Sequence, residues 1–383
     1  MNIFNLPTKI VMNEGALNYL KELDFKNACI VCDPYVVESG QIKLVTDILD
    51  SVNRNYRVYS HIVPDAPIDN IKDGVSKFAL HRPDAIISIG GGSAIDTAKA
   101  ITYFHDRITG DKPPIKIVIP TTSGTGSEVT SFSVISDPAT NSKVPIVDDA
   151  LLPDVAILDP EFVVSVPPKV TAATGMDVLT HAIEAYVAKG SDDFSAALSE
   201  KAARLVFKYL PRAYEHPDSL RARSKMHNAS CMAGIAFNHA GLGLCHGMAH
   251  ALGGMYHIPH GKANAILLPH VIIYNSDFRN NPVHTTYAAD KYAFFAGILG
   301  FMSPSTKIGL PALIHEICKL MNAVEMETNL AMLGIEKDKF IESLDTLAEM
   351  AINDRCTPSN PREVTREAIK EIYLNAYFGR GLV

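Results

Sequence analysis

As far as Val166-Pro167-Pro168 the chain alternates short β-branched runs with helical stretches, and beyond that triplet only a helical periodicity persists. The runs at 28–32, 58–62, 85–89, 115–119 and 155–158 are largely apolar and read as strands without a consistently polar face. Strands of that kind belong to a parallel sheet covered on both sides, here by the helical segments 41–52, 69–80 and 93–105. After the proline pair, which interrupts both helix and ladder, segments 176–188, 194–210, 224–237 and 306–321 read as amphipathic helices, with no convincing strand. The expected architecture is therefore α/β followed by all-α: a Rossmann-like parallel-sheet domain over 1–168 and an all-helical domain over 169–383. A ligand site is expected in the cleft between them.

Composition narrows the function classes. With 383 residues, 47% hydrophobic and 20% charged, the chain can bury a sizeable core. Its 35 basic against 42 acidic residues give a net charge of -7, the wrong sign for coating phosphate, so nucleic acid is not expected as a partner. The first residues lack the pattern of a secretory signal, and no apolar run approaches the roughly 20 residues needed to span a bilayer, so a cytoplasmic protein without membrane contact is expected. Six cysteines in such a setting read as reduced thiols. Cys29 and Cys32 are spaced like a metal pair, but both lie in a strand, where residues three apart point to opposite faces.

Chemistry is concentrated in two places. The strand at 84–89 runs into Gly90-Gly91-Gly92-Ser93 and then into a helical pattern containing Asp96 and Lys99. Strand, glycine turn and helix start in that order aim backbone N–H groups and a positive helix end at an anion, and the glycines let a pyrophosphate approach. A second strand leads into Pro120-Thr121-Thr122-Ser123-Gly124-Thr125-Gly126-Ser127-Glu128, a loop of hydroxyls and glycines. Two such loops at strand ends suggest a dinucleotide. The Gly-x-Gly-x-x-Gly fingerprint is absent after the first strand, which instead ends in Asp33, a carboxylate able to accept from both ribose hydroxyls of NAD and to repel the 2′-phosphate of NADP.

In the second half, Asp177 and His181 are four apart on a helical pattern and share one face. His246, His250, His257 and His260 crowd one short stretch of small and apolar residues, where unpartnered imidazoles would be costly to bury. One aspartate with two or three of these histidines makes a mixed O/N site suited to catalytic Fe²⁺ or Zn²⁺.

Taken together and in this order, the Gly90–Ser93 turn with Asp96 and Lys99, the hydroxyl loop, the Asp177/His181 helix and the His246, His250, His260 segment resemble the iron-containing (group III) alcohol dehydrogenases over nearly the whole chain. The resemblance implies a dehydroquinate synthase-like fold. It implies that Asp177, His181, His246 and His260 hold the metal, Fe²⁺ with Zn²⁺ as the alternative, and that His250 is no ligand but passes a proton beside the nicotinamide. It further implies that Gly90, Gly91, Gly92, Ser93 and Asp96 meet NAD(H), that Thr121, Thr122 and Thr130 line the cofactor cleft, that Lys143 approaches the nicotinamide ribose, and that Phe132 and Phe237 wall the substrate pocket. Residues 64–67, Pro-Asp-Ala-Pro, depart from the family's Pro-Asn-Pro type of run, and Phe132 stands where some diol-handling relatives carry a polar residue. The implied activity is fermentative interconversion of a short-chain primary alcohol and its aldehyde, such as 1-propanol and propanal. The alternatives are a lactaldehyde/propanediol or butanol dehydrogenase and, in another class, an NAD-dependent lyase of the dehydroquinate synthase type. A homodimer is expected, in the cytoplasm or inside a bacterial microcompartment.

Overall fold

Isoleucine and valine dominate the strand segments, and in the computed structural model, which describes residues 3–63, 66–110, 112–137, 142–278 and 285–382, they build a six-stranded parallel sheet. The side chains at 142 and 143 lie outside that description. The strands are β1 (Lys9–Met12), β2 (Asn27–Cys32), β3 (Asn55–Tyr59), β4 (Ala85–Gly90) and β5 (Ile115–Pro120), with β6 (Phe132–Asp137) and β7 (Ser142–Val147) forming a separate antiparallel ribbon before β8 (Val155–Leu158). The sheet order is β1-β8-β5-β4-β2-β3.

Alternation along each strand sends side chains to two cores. Ile30, Cys32, Ile87, Ile89, Ile117 and Ile157 pack with Leu20, Val45, Leu49 and Phe162, while Cys29, Val31 and Ile86 pack with Ile71, Phe78, Ala98 and Ile101. Cys29 and Cys32 thus face opposite sides of the sheet, as their spacing requires. The helices of this unit are α1 (Pro34–Glu38), α2 (Ile42–Ser51), α3 (Ile68–His81) and α4 (Gly92–Thr109). The register pairs Cys32 with Ile89, Ile89 with Ile119 and Gly90 with Pro120, so the residues that follow β2, β4 and β5 emerge side by side.

Three strand expectations change. The run at 58–62 is replaced by Asn55–Tyr59, an edge strand with only Tyr59 fully buried, so continuous apolarity does not mark it. β1 is four residues with exposed ends, and the β6–β7 ribbon breaks its β-branched pairs with serine and proline; neither is among the expected strands.

The remaining helices are α5 (Pro168–Val187), α6 (Asp193–Glu215), α7 (Leu220–Ala240), α8 (Leu244–Tyr256), α9 (His260–Ser276), α10 (Tyr287–Leu299), α11 (Thr306–Ala323), α12 (Lys337–Ile352) and α13 (Arg366–Phe378). Pro168 opens α5 at its first position, where the missing N–H costs nothing, so the proline pair starts a helix rather than only breaking one. Two compact units emerge: residues 1–166 with 218–234, and residues 167–217 with 235–383. The division differs from a single cut at 168 because Arg223 donates to the Val166 carbonyl (2.7 Å), Ser224 to Asn13 (3.3 Å), and Gly234 packs on Gly126. No described helix is long and apolar enough to cross a membrane.

Candidate active site

In the first unit, the glycine turn and the hydroxyl loop lie against each other. Thr121 N–H donates to the Gly90 carbonyl (3.0 Å), and a Cβ on Gly91 would sit 3.5 Å from Thr122. Gly90 leaves no room for a side chain, since its Cβ would lie 2.5 Å from that of Ala94 and 2.8 Å from Asp33 Oδ2. α4 begins at Gly92, so the N-terminal end of the helix, with the N–H groups of its first turn, opens at this point. Asp33 is half-buried beside the turn; burial pushes its carboxyl up and a backbone bond from Gly91 pulls it back. Its Oδ1 is buried without a hydrogen-bond partner among the described residues, an acceptor site open to a ligand hydroxyl.

Asp96 and Thr130, expected to meet the cofactor, make hydrogen bonds within the protein. Asp96 takes the Ser127 hydroxyl on one oxygen (2.6 Å) and the Val134 N–H on the other (2.9 Å). Lys99, fully buried, donates to the Thr130 carbonyl (2.7 Å), the Phe132 carbonyl (2.9 Å) and the Ser127 hydroxyl (3.1 Å). Burial pulls the Lys99 ammonium down to about 8 and pushes the neighbouring Glu128 carboxyl up to about 7. These groups fasten the loop and the start of β6 to α4, a role that their place one turn beyond the glycines did not disclose. His227 of α7 adds a further anchor that sequence reasoning missed: its Nδ1 lies 2.9 Å from Ser123 Oγ, and burial pushes the imidazole down to about 4, keeping it neutral. Ser93 stands in the first turn of α4, Thr121 and Thr122 are part-exposed, and Phe132 is half-buried at the start of β6. The side chain of Lys143, on β7, and residues Pro64 and Asp65 lie outside the described residues.

In the second unit, three helices deliver four donors to one point. Asp177 and His181 share a face of α5, His246 lies in the first turn of α8, and His260 opens α9. Close approach of α9 to α5 depends on Gly261, whose absent side chain would collide with the Ala173 carbonyl. One ligand atom from each of Asp177, His181, His246 and His260 lies within 4.8 Å of all the others. His181 stacks on His246 (centroids 4.6 Å apart), and Phe237 covers the other side of His181 at 4.6 Å. His246 is buried, and both burial and the neighbouring imidazoles push it well below its usual range, so it is neutral and basic towards an ion only through a lone pair. His250 stands apart from this group: half-exposed, it stacks on His260 at 5.2 Å, and its Nδ1 lies 2.9 Å from Asp354 Oδ2. Burial raises the Asp354 carboxyl, but its bond to His250 and the Cys356 N–H outweigh this and hold it low.

Two further residues complete the cluster. Asn264, one turn after His260, places its Nδ2 at 2.7 Å from Asp177 Oδ1, 3.0 Å from His260 Nε2 and 3.2 Å from His246 Nε2. Glu184, seven residues after Asp177 on α5, accepts the Cys245 N–H (2.7 Å) and lies 2.5 Å from His246 Nδ1. Both follow their ligand at helical spacing, a signal present in the sequence but unreadable without knowing which helices meet.

Comparison with known proteins divides the chain once, between residues 160 and 171. Residues 7–160 match the family described as iron-containing alcohol dehydrogenase, and residues 171–377 match its C-terminal region, described as Fe-containing alcohol dehydrogenase family, C-terminal. The chain is 43% identical to 1-propanol dehydrogenase PduQ of Salmonella typhimurium, over 97% of this chain and 99% of that one. It is 38% identical to the NADPH-dependent butanol dehydrogenase of Clostridium saccharobutylicum, over 98% of each. Among solved structures it is similar to sulfoacetaldehyde reductase from Bifidobacterium kashiwanohense in complex with NAD+, with a TM-score of 0.84 and 29% identity over 98% of each chain.

Proposed function

Because the chain belongs to the iron-containing alcohol dehydrogenase family, we propose that it interconverts a short-chain primary alcohol, such as 1-propanol, with its aldehyde by hydride exchange with NAD(H). The observation that carries this reading is the convergence of Asp177, His181, His246 and His260 within 4.8 Å. That donor set fits a divalent ion on its own chemistry. The Asn264 amide nitrogen, with two hydrogens to give, lies within hydrogen-bond distance of Asp177 Oδ1, His246 Nε2 and His260 Nε2, so it serves at most two of the three at once. One carboxylate and three imidazoles suit Fe²⁺ or Zn²⁺ with a coordination position left for substrate. Once bound, the ion supplies Lewis acidity towards the substrate oxygen.

The chain's own residues do the rest. The N–H groups at the start of α4 receive the pyrophosphate of NAD(H), and Asp33 accepts from its adenosine ribose. His250 has Nδ1 fixed by Asp354, which leaves Nε2 to take the alcohol proton and, from a half-exposed position, to pass it to water. Phe237, covering His181, gives the metal cluster an apolar flank that favours an alkyl chain and excludes water.

Propanal/1-propanol is the pair favoured by the likeness to 1-propanol dehydrogenase PduQ, with butanol and lactaldehyde/propanediol as the other candidates. The same reading takes the protein to be a cytoplasmic homodimer, or one enclosed in a bacterial microcompartment. An NADH-oxidation panel across C2–C4 aldehydes, run on protein loaded anaerobically with Fe²⁺ or Zn²⁺, tests the proposal. Fastest oxidation with propanal supports it. A lyase of the dehydroquinate synthase type would consume no NADH with any of them.

A further inference from the structure

We propose that Glu184 is a positioning residue of the metal centre: it holds His246 in the one ring tautomer that can present a lone pair to an ion, and it ties that tautomer to the start of α8. The inference rests on the metal-binding reading above and deepens it.

The argument begins at the other side of the imidazole. Asp177 can only accept when ionised, so the Asn264 atom 2.7 Å from its Oδ1 must be the amide nitrogen, which fixes the orientation of that amide. The same nitrogen lies 3.2 Å from His246 Nε2. A donor-only group faces Nε2 at that distance, a placement that suits an Nε2 carrying no hydrogen. The single proton of a neutral imidazole is then on Nδ1, facing Glu184 Oε2 at 2.5 Å; burial pushes the Glu184 carboxyl up to about 8, the N–H groups at the start of α8 pull it back, and as a carboxylate it accepts from Nδ1. The other oxygen of Glu184 accepts the Cys245 N–H at 2.7 Å, in the first turn of α8, where such groups have no partner within the helix. Leu244 N–H is taken by Asn360 Oδ1 at 3.2 Å. Glu184 is 4% exposed, so water cannot substitute for it. One carboxylate thereby caps the helix that carries His246 and selects which of its nitrogens is bare. A metal-ligating histidine whose other N–H is held by a carboxylate binds more firmly for this reason.

Glu184→Gln separates the two roles because it keeps volume and the oxygen on Cys245. Its NH2 then faces His246 Nδ1, which must accept, and the ring proton moves to Nε2, towards Asp177 and His260. The expected result, measured by competition with a chelator of known affinity, is a roughly 10–100-fold loss of Fe²⁺ or Zn²⁺ affinity. The unfolding midpoint of the metal-free protein and its Kd for NADH should stay as in the wild type. Nitrogen-15 histidine spectra of metal-free wild-type protein, which need no variant to fold, should show His246 protonated on Nδ1, and those of E184Q on Nε2. A wild-type His246 protonated on Nε2, or E184Q with undiminished metal affinity, would overturn the proposal. If the wild type bound neither ion, the functional reading would fail instead, and the His246 spectrum would still decide the role of Glu184.

Discussion

Replacing Asp33 by Asn probes the cofactor cradle with little disturbance elsewhere. Asp33 occupies the position before α1, but its carboxylate makes no capping bond there, so the helix loses nothing when the charge is removed. What disappears is a half-buried acceptor whose Oδ1 has no partner among the described residues and whose Oδ2 lies beside Gly90. Hydrogen bonds to a charged group contribute about 1.5–3 kcal/mol, so NADH should bind roughly 10–150-fold more weakly. The same change removes repulsion from a 2′-phosphate. Two unit charges about 4 Å apart interact by about 4 kcal/mol at an effective dielectric near 20, and even a quarter of that after screening gives NADPH roughly a fivefold gain. The ratio of kcat/KM for NADH over NADPH should therefore fall by at least roughly 50-fold in D33N, measured with a fixed aldehyde on metal-loaded protein. The likeness to an NADPH-dependent butanol dehydrogenase makes this measurement decisive for cofactor choice. An unchanged ratio would refute the ribose role of Asp33.

Three other outcomes follow from the same geometry. His250→Ala should lower kcat by about 10²–10⁴ while retaining the full metal content, because His250 lies outside the four-donor group; loss of the ion would make it a ligand after all. Gly126→Ala should destabilise by about 1–3 kcal/mol or more, read as a lowered unfolding midpoint, since Gly126 has φ 65° and its Cβ would lie 2.7 Å from the Gly234 Cα. Glu128, facing Lys99 of α4 and Cys231 of α7, has its carboxyl raised to about 7 by burial, so the folded state holds a proton that the unfolded state has released. Its contribution to stability is present below the ordinary value of 4.5 and is lost as pH rises to about 7; Glu128→Gln should flatten that slope in denaturant titrations, and an unaltered slope would contradict it.

The central strands were legible because burial on both faces leaves an unbroken apolar run, as at Ile86-Ile87 and Ile117-Val118-Ile119. That signal fails at edges: β3 exposes most of its side chains, and the β6–β7 ribbon mixes polar residues with proline. Asp177 and His181 could be paired from helix spacing alone, and the crowding of histidines pointed to the remaining donors. Glu184, Asn264, Asp354 and His227 are not assigned by sequence because each reaches at least one side chain from a different segment, and no local pattern shows which segments meet. Asp96 and Thr130 show the converse. Polar groups next to a glycine turn resemble ligand contacts, yet a carboxylate one turn into α4 reaches Ser127 and Val134 of its own unit.

The most direct test of the account measures metal content and propanal-dependent NADH oxidation in the same anaerobic sample, for wild-type protein and for His181→Ala. The prediction is one tightly held ion and turnover in the wild type, and neither in the variant, with NADH binding retained in both. Full turnover by H181A after chelator treatment, or by metal-free wild-type protein, would contradict the claim that these four side chains hold the ion on which the reaction depends.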